Sequence, residues 1–102
     1  MANPTLKNRE KTVATIKEPT RFKVVVHNDD ITPMEFVMDI LMGIFKHSSE
    51  ISMELTLKIH NDQSAVVGIY TYEIAEQKAI DATLLARNNG YPLIIKLEAV
   101  WV

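Results

Sequence analysis

The hydrophobic and polar positions of this chain follow two different periods in turn, and each change of period predicts a new element. The segment RFKVVVH (residues 21–27) alternates apolar and polar side chains, as a half-buried β-strand does. Apolar residues then recur at helical spacing over residues 33–46, 49–60 and 72–89, whereas AVVGIYTY and LIIKLEAVWV are typical of strands. The predicted element order is β-α-α-β-α-β.

This order predicts an α+β fold, a small and mainly antiparallel three-stranded sheet packed on one face by three helices. The connections are too short for parallel crossovers throughout. Residues 1–20 contain no aromatic side chain and mix charged with small polar groups, so we expect a disordered, flexible N-terminal tail followed by one domain over residues 21–102.

Composition and charge narrow the classes of function. The chain has 102 residues, 47% of them hydrophobic, and a net charge of −2, so it has no large positive field for nucleic acid or an anionic membrane. It contains no cysteine, which excludes thiol catalysis and cysteine-based metal sites. No apolar run reaches the ~18 residues of a membrane span, and the start lacks a signal-peptide core, so we expect a cytoplasmic protein.

The segment NDD (residues 28–30) carries more hydrogen-bond acceptors than a turn and a helix start require. Thr32 is predicted to cap the first helix, with Pro33 at its first position and Glu35 completing a capping box. Any one residue of NDD is explained by turn chemistry. Three together, beside a helix whose apolar arc is unusually wide, indicate a candidate binding site.

The second helix carries a polar line through the middle of its apolar face. Ser52, Thr56 and His60 follow one another at a spacing of four residues. The two hydroxyls are explained if they bond carbonyls one turn back and let another helix approach closely. A buried imidazole needs partners for both nitrogens, so His60 is either a satisfied core histidine or a site residue.

Three kinds of site could use these groups. A metal site is disfavoured because His27 lies with Lys23 on the polar side of its strand and no H-x-x-x-H spacing occurs. A hydrolase lacks a recognisable nucleophile, so neither an enzyme nor a cofactor is predicted. An α-ammonium group, with three donors and an apolar side chain beside it, suits an acceptor-rich and partly apolar site.

The motifs NDDITPMEFV, KIH, YEIAEQKA, AR and GYPL, in this order from about Phe22 to Glu98, resemble the ClpS family of adaptors of the ATP-dependent Clp protease. The resemblance implies a bacterial adaptor for N-degrons, which are proteins that begin with Leu, Phe, Tyr or Trp. It further implies that the adaptor delivers them to the N-terminal domain of a Clp-type AAA+ chaperone.

The resemblance also implies roles for individual residues. Asn28 and His60 would accept hydrogen bonds from the α-ammonium group, and Asp29 would contact the first peptide unit. Glu73 and Lys78 match the chaperone-docking face, and residues 1–20 occupy the place of the tail used in delivery. The positions that match the side-chain pocket are Asp30, Thr32, Met34, Val37, Ile59 and Leu93.

Thr56 departs from the family, whose members often carry a gatekeeper methionine there, and Ile59 stands where valine is common. One methylene in a pocket changes discrimination by only ~1–3 kcal/mol. We therefore expect weaker exclusion of N-terminal Ile and Val, with the preference for bulky residues kept. Two other interpretations stay open at this point, a structural or assembly module and a ClpS paralogue with altered specificity.

Overall fold

The structure is a computed structural model that describes residues 21–101, and it confirms the predicted element order. The predicted tail, residues 1–20, lies outside the described residues. In chain order the elements are β1 (Arg21–His27), α1 (Met34–Gly43), α2 (Ser49–Asp62), β2 (Ser64–Tyr70), α3 (Tyr72–Asn88) and β3 (Ile94–Val100).

The three strands form one antiparallel sheet in the order β2-β1-β3, as the short connections predict. The central position of β1 changes its burial. Val24, Val25 and Val26 are all buried, whereas the alternating pattern predicted a half-buried strand. Val24 and Val26 belong to the core, and Val25 lies between its partners Val66 and Lys96 on the neighbouring strands. Because β1 has a neighbouring strand on each side, its side chains are more buried than the alternating sequence pattern predicts.

All three helices contribute to the same core as Val24 and Val26, so they pack on one face of the sheet. Helix α3 supplies only alanines to the fully buried set, which lets its backbone come close to the strands. The buried helix residues of this core are Val37, Ile40, Leu41, Ile59, Ala75, Ala82 and Ala86.

Strand β2 contains a bulge opposite Val24 and Val25, which pair with Gly68 and Val66 and leave Val67 as the extra residue. The His47 Nε2 is 2.5 Å from the Val67 carbonyl oxygen, so the imidazole covers this edge of the sheet. At Gly68 a β-carbon would collide with the Tyr70 ring, so any other residue would force that ring to move.

Helix α1 differs from the prediction at both ends. It begins at Met34, one residue late, because Thr32 donates its hydroxyl to Asp29 Oδ2 (2.8 Å) instead of capping the helix. Pro33 is extended and holds the N-cap position without a side-chain bond, so the predicted capping box is wrong. The helix ends at Gly43 rather than near Lys46, which has a left-handed φ of 60°.

The ends of the other helices agree better with their signals. Ser48 caps α2 by accepting a hydrogen bond from the Ile51 amide at 3.2 Å. Thr71 holds the N-cap position of α3, although its side chain makes no capping bond. Gly90, at φ 79°, follows the end of α3, where a left-handed residue favours glycine.

Candidate functional site

One end of the sheet gathers the residues that the sequence indicated. Strand β1 ends at His27, whose partners are Ser64 at the start of β2 and Ile94 at the start of β3. Asn28 directly follows β1, and Gln63 and Leu93 directly precede β2 and β3, so all three lie at the same end of the sheet. Helix α2 reaches this end with its last turn, which contains His60. The topology thus brings together segments that are far apart in the sequence.

Asn28 and His60 are joined through Gln63. The Asn28 backbone amide donates to the Gln63 carbonyl (2.8 Å), and Asn28 Nδ2 donates to Gln63 Oε1 (3.4 Å). Gln63 Nε2 donates in turn to the His60 carbonyl (3.3 Å). Gln63 was not predicted as a site residue, because a glutamine after a helix gives no signal that it will bond another segment.

Asp29 holds the turn that follows β1. Its Oδ1 accepts from the backbone amides of Ile31 (2.8 Å) and Thr32 (2.7 Å), and its Oδ2 accepts from the Thr32 hydroxyl (2.8 Å). Burial raises the pKa of this carboxyl, but these bonds and the nearby Arg87 guanidinium outweigh that effect, and the pKa lies below its usual value. Asp29 therefore stays ionised, whereas Asp30 is exposed.

Replacing Asp29 with asparagine should lower the melting temperature at neutral pH and make it less sensitive to acid. A carboxylate whose pKa is depressed in the folded state stabilises the fold above its unfolded value of about 3.9, and this contribution is lost as the pH falls through the folded value. Thermal unfolding at pH 7 and near pH 3 measures the difference between the wild type and Asp29→Asn, which should shrink in acid. The exposed neighbour, in Asp30→Asn, is the matched control, and an equal loss in both variants would contradict the prediction.

Arg87 stabilises the segment between α3 and β3. Its Nη1 donates to the carbonyls of Tyr91 (2.8 Å) and Leu93 (2.9 Å), and its charge lowers the pKa of Asp29. Arg87 was not predicted as a site residue. An arginine in the last turn of a helix, before a glycine, is the pattern that bonds nearby carbonyls and could have indicated it.

The apolar residues of the predicted pocket come from α1, α2 and the segment before β3. Val37, Ile59 and Leu93 are buried in the shared core, whereas Met34 is 40% exposed at the start of α1. His60 is exposed, so the alternative of a buried core histidine is wrong. His60 is one turn further along α2 than buried Thr56, and its imidazole is accessible to a ligand.

The other two members of the polar line are buried, Ser52 at 0% and Thr56 at 2% exposure. Within residues 21–101 neither hydroxyl has a hydrogen-bond partner, so the expected bonds to carbonyls one turn back do not form. The small side chains still permit close packing of α2. An unpartnered buried hydroxyl destabilises the fold by ~1–3 kcal/mol.

Replacing Thr56 with valine should therefore raise the free energy of unfolding by about 1 kcal/mol, because valine has nearly the same shape without the hydroxyl. Denaturant unfolding of the purified variant measures the change. The same substitution at half-buried Thr83 on α3 controls for the effect of valine in a helix. A destabilised Thr56→Val protein would mean that the hydroxyl has a partner in solution.

The predicted docking residues Glu73 and Lys78 border a different surface. An open cavity of about 440 Å³ lies between the C-terminal end of α1 and the first turns of α3. Lys78 donates to the Ile44 carbonyl (2.8 Å) and lies 5.4 Å from the Tyr70 ring centroid. We call this the α1–α3 groove; its lining residues are Gly43, Ile44, Lys46, Glu73, Ile74, Gln77, Lys78 and Asp81.

Residues 21–101 contain no group of three His, Asp or Glu side chains arranged to hold a metal ion. None of the helices in this range is both long and apolar enough to cross a membrane.

Comparison with known proteins places these features in a family. The sequence model of the ATP-dependent Clp protease adaptor protein ClpS matches residues 17–96. The chain is 40% identical over 89 residues to the ATP-dependent Clp protease adapter protein ClpS of Serratia proteamaculans and 43% identical to that of Sodalis glossinidius. Each alignment covers 87% of this chain and 84% of the relative.

A solved structure agrees with the sequence comparisons. Agrobacterium tumefaciens ClpS2 bound to L-phenylalaninamide superposes on this chain with a TM-score of 0.78 at 37% identity, covering 81% of this chain and 100% of that one. The fold, the matched length and the identity all agree with the resemblance found in the motifs. The chain belongs to the ClpS family of ATP-dependent Clp protease adaptors.

Proposed function

We propose that this chain binds proteins that begin with a bulky hydrophobic residue, by their free α-amino group, and delivers them to a Clp-type AAA+ chaperone in the bacterial cytoplasm. The observation that carries the proposal is the joining of Asn28 and His60 through Gln63. This network lies at the end of the sheet where Val37, Ile59 and Leu93 form the buried apolar surface.

The chemistry of these groups suits a protonated amine. An α-ammonium group has three donors and no acceptor. Asn28 uses Nδ2 to reach Gln63, which leaves its Oδ1 as an acceptor, and the exposed His60 offers a ring nitrogen in its neutral form. Asp29 adds negative charge close by, because its pKa is depressed. Bonds to a charged group are worth ~1.5–3 kcal/mol each.

The ligand of the Agrobacterium relative supports this proposal. L-phenylalaninamide has a free α-amino group, a large apolar side chain and an amide in place of the carboxylate, and it therefore has the chemistry of an N-terminal residue. In this chain we propose that Met34, Thr56 and Leu93 line the side-chain pocket with Val37 and Ile59. Asp30 and Thr32 would border it, and the ligands would begin with Leu, Phe, Tyr or Trp.

A peptide titration tests the proposal. Fluorescent peptides that begin with Leu or Phe and have a free amine should bind saturably, whereas their N-acetylated twins and a glycine-initiated peptide should bind far more weakly. Mass spectrometry of the same mixtures reports any turnover. Equal binding of the free and acetylated peptides would contradict the proposal, and an absence of binding would favour the alternative of a structural or assembly module.

The α1–α3 groove is proposed as the docking face for the N-terminal domain of the chaperone, with residues 1–20 serving as the tail in delivery. Lys78 is already engaged with the Ile44 carbonyl, so a Lys78 variant would alter the fold as well as the groove. Glu73 is exposed on the first turn of α3 and is the cleaner probe.

Reversing the charge in Glu73→Arg should lower the affinity for the isolated chaperone domain by roughly tenfold and slow degradation of a Phe-initiated substrate, since like charges replace a complementary contact. Peptide affinity should not change, because Glu73 lies at the opposite end of α3 from Leu93. Calorimetry with each partner separates the two effects. Glu54→Arg, at an exposed position on α2, is the control; similar docking by all three proteins would argue against this face.

A further inference from the structure

We infer that Gln63 is a positioning residue for the amine site: it orients the side-chain amide of Asn28 so that Oδ1, and not Nδ2, faces the bound α-ammonium group. The inference rests on the proposed function, because it concerns how that site is prepared for its ligand. In this role Gln63 acts through Asn28 and not on the ligand itself.

The orientation follows from a chain of hydrogen bonds that begins at a backbone carbonyl. The His60 carbonyl can only accept, so the Gln63 amide must turn its Nε2 towards it (3.3 Å). That turn directs Gln63 Oε1 towards Asn28, and Asn28 must then present Nδ2 to it (3.4 Å). The opposite, acceptor end of the Asn28 amide remains for a ligand. A flipped amide would point a donor at an ammonium group that has only donors.

The backbone ties the two residues together independently of their side chains. The Asn28 backbone amide donates to the Gln63 carbonyl at 2.8 Å, so this bond fixes the distance between the two residues whatever their side chains do. The Gln63 backbone adopts a φ of 76°, in the left-handed region. Residues with a β-carbon are strained there and glycine is favoured, so the glutamine is kept at a cost to the fold. Glycine could not make the two side-chain bonds of Gln63, and a role of these bonds in the amine site accounts for that cost.

Two substitutions at position 63 separate the roles of backbone and side chain. Gln63→Met keeps the length and the strained backbone but removes both side-chain bonds. Gln63→Gly also removes them, and it relieves the strain. Both should lower the affinity for a Phe-initiated, free-amine peptide by roughly three- to tenfold, the scale of a neutral hydrogen bond. The melting temperature should rise in Gln63→Gly, so affinity and stability change in opposite directions.

A double-variant comparison tests orientation itself. In Asn28→Asp both terminal atoms are oxygens, so no orientation is needed, and adding Gln63→Met should change affinity by less than about twofold. Side-chain amide relaxation in NMR gives a readout that needs no ligand. The Asn28 NH₂ group should be rigid in the wild type and mobile in Gln63→Met.

The outcomes distinguish this inference from the proposed function. Unchanged peptide affinity together with an equally rigid Asn28 amide in Gln63→Met would overturn the role of Gln63 and leave amine recognition intact. If the wild type binds free-amine and acetylated peptides alike, both are overturned. Should Asn28→Asp bind too weakly to titrate, the NMR result alone decides, and a rigid Asn28 in Gln63→Met rejects the inference.

Discussion

Replacing Asn28 with alanine should lower the affinity for a free-amine, Phe-initiated peptide by roughly 10- to 150-fold, which corresponds to ~1.5–3 kcal/mol. The substitution removes the Oδ1 acceptor that we propose bonds the α-ammonium group, and a donor left without a partner in a desolvated site adds to the loss. It also releases Gln63 from its bond to Nδ2. Calorimetric titration of wild type and variant measures the change.

The same titration supplies its own controls. The N-acetylated peptide should bind Asn28→Ala and wild type equally weakly, since it has no ammonium group to lose. His60→Ala should show a loss of similar size, and the double variant should lose less than the sum because both residues hold one charge. Asn88→Ala, at an exposed position in the last residue of α3, should behave as the wild type. An Asn28→Ala protein with wild-type affinity would remove the basis of the proposed amine site.

The fold follows from the sequence wherever the signal is local. Periods of two and of about 3.6 identify all six elements, and the helical spacing over residues 72–89 agrees with α3 within one residue. The errors occur where a neighbouring group competes for the same atom. Thr32 is a good capping residue in isolation, but Asp29 takes its hydroxyl and α1 begins one residue later. The sequence pattern also does not show that β1 is the central strand of the sheet, so the burial of Val25 was not predicted.

The candidate site is predictable only in part, for a related reason. Asn28, Asp29 and His60 could be selected because their residue types, near a helix start or on an apolar face, exceeded what local structure requires. Gln63 and Arg87 act through bonds to side chains and carbonyls on other segments. Such bonds depend on the topology at the end of the sheet. Gln63 carries no signal for its bond, whereas the position of Arg87 before a glycine indicates bonds to nearby carbonyls but not their link to the site.

These two unpredicted residues hold the two sides of the candidate site. Gln63 connects the end of α2 to Asn28, and Arg87 connects the end of α3 to the segment that leads to Leu93. Asp29 is electrostatically linked to Arg87 and carries the turn between β1 and α1. The groups proposed to touch the ligand thus depend on bonds made by Gln63 at the end of α2, by Arg87 in the last turn of α3 and by Asp29 in the turn after β1. Substitutions that remove these bonds should alter peptide binding indirectly.

Replacing Arg87 with methionine should therefore lower both stability and peptide affinity. Methionine keeps much of the apolar stem but loses the two bonds to the Tyr91 and Leu93 carbonyls, for which we expect a loss of ~1–3 kcal/mol in the free energy of unfolding. Leu93, only 1% exposed in the same buried core as Val37 and Ile59, would lose a bond that fixes its backbone. Affinity for a Phe-initiated peptide should fall by about tenfold, the scale of one such bond.

A pH series identifies the electrostatic part of this effect. Without the Arg87 charge the pKa of Asp29 should rise towards its usual value, so the stabilisation by the Asp29 carboxylate should be lost at a higher pH in Arg87→Met than in the wild type. Arg21→Met, at an exposed position in β1, removes the same charge elsewhere and controls for net charge. If Arg21→Met and Arg87→Met lose stability and affinity equally at every pH, the losses come from net charge alone. Arg87 would then have no specific part in positioning Leu93 or in keeping Asp29 ionised.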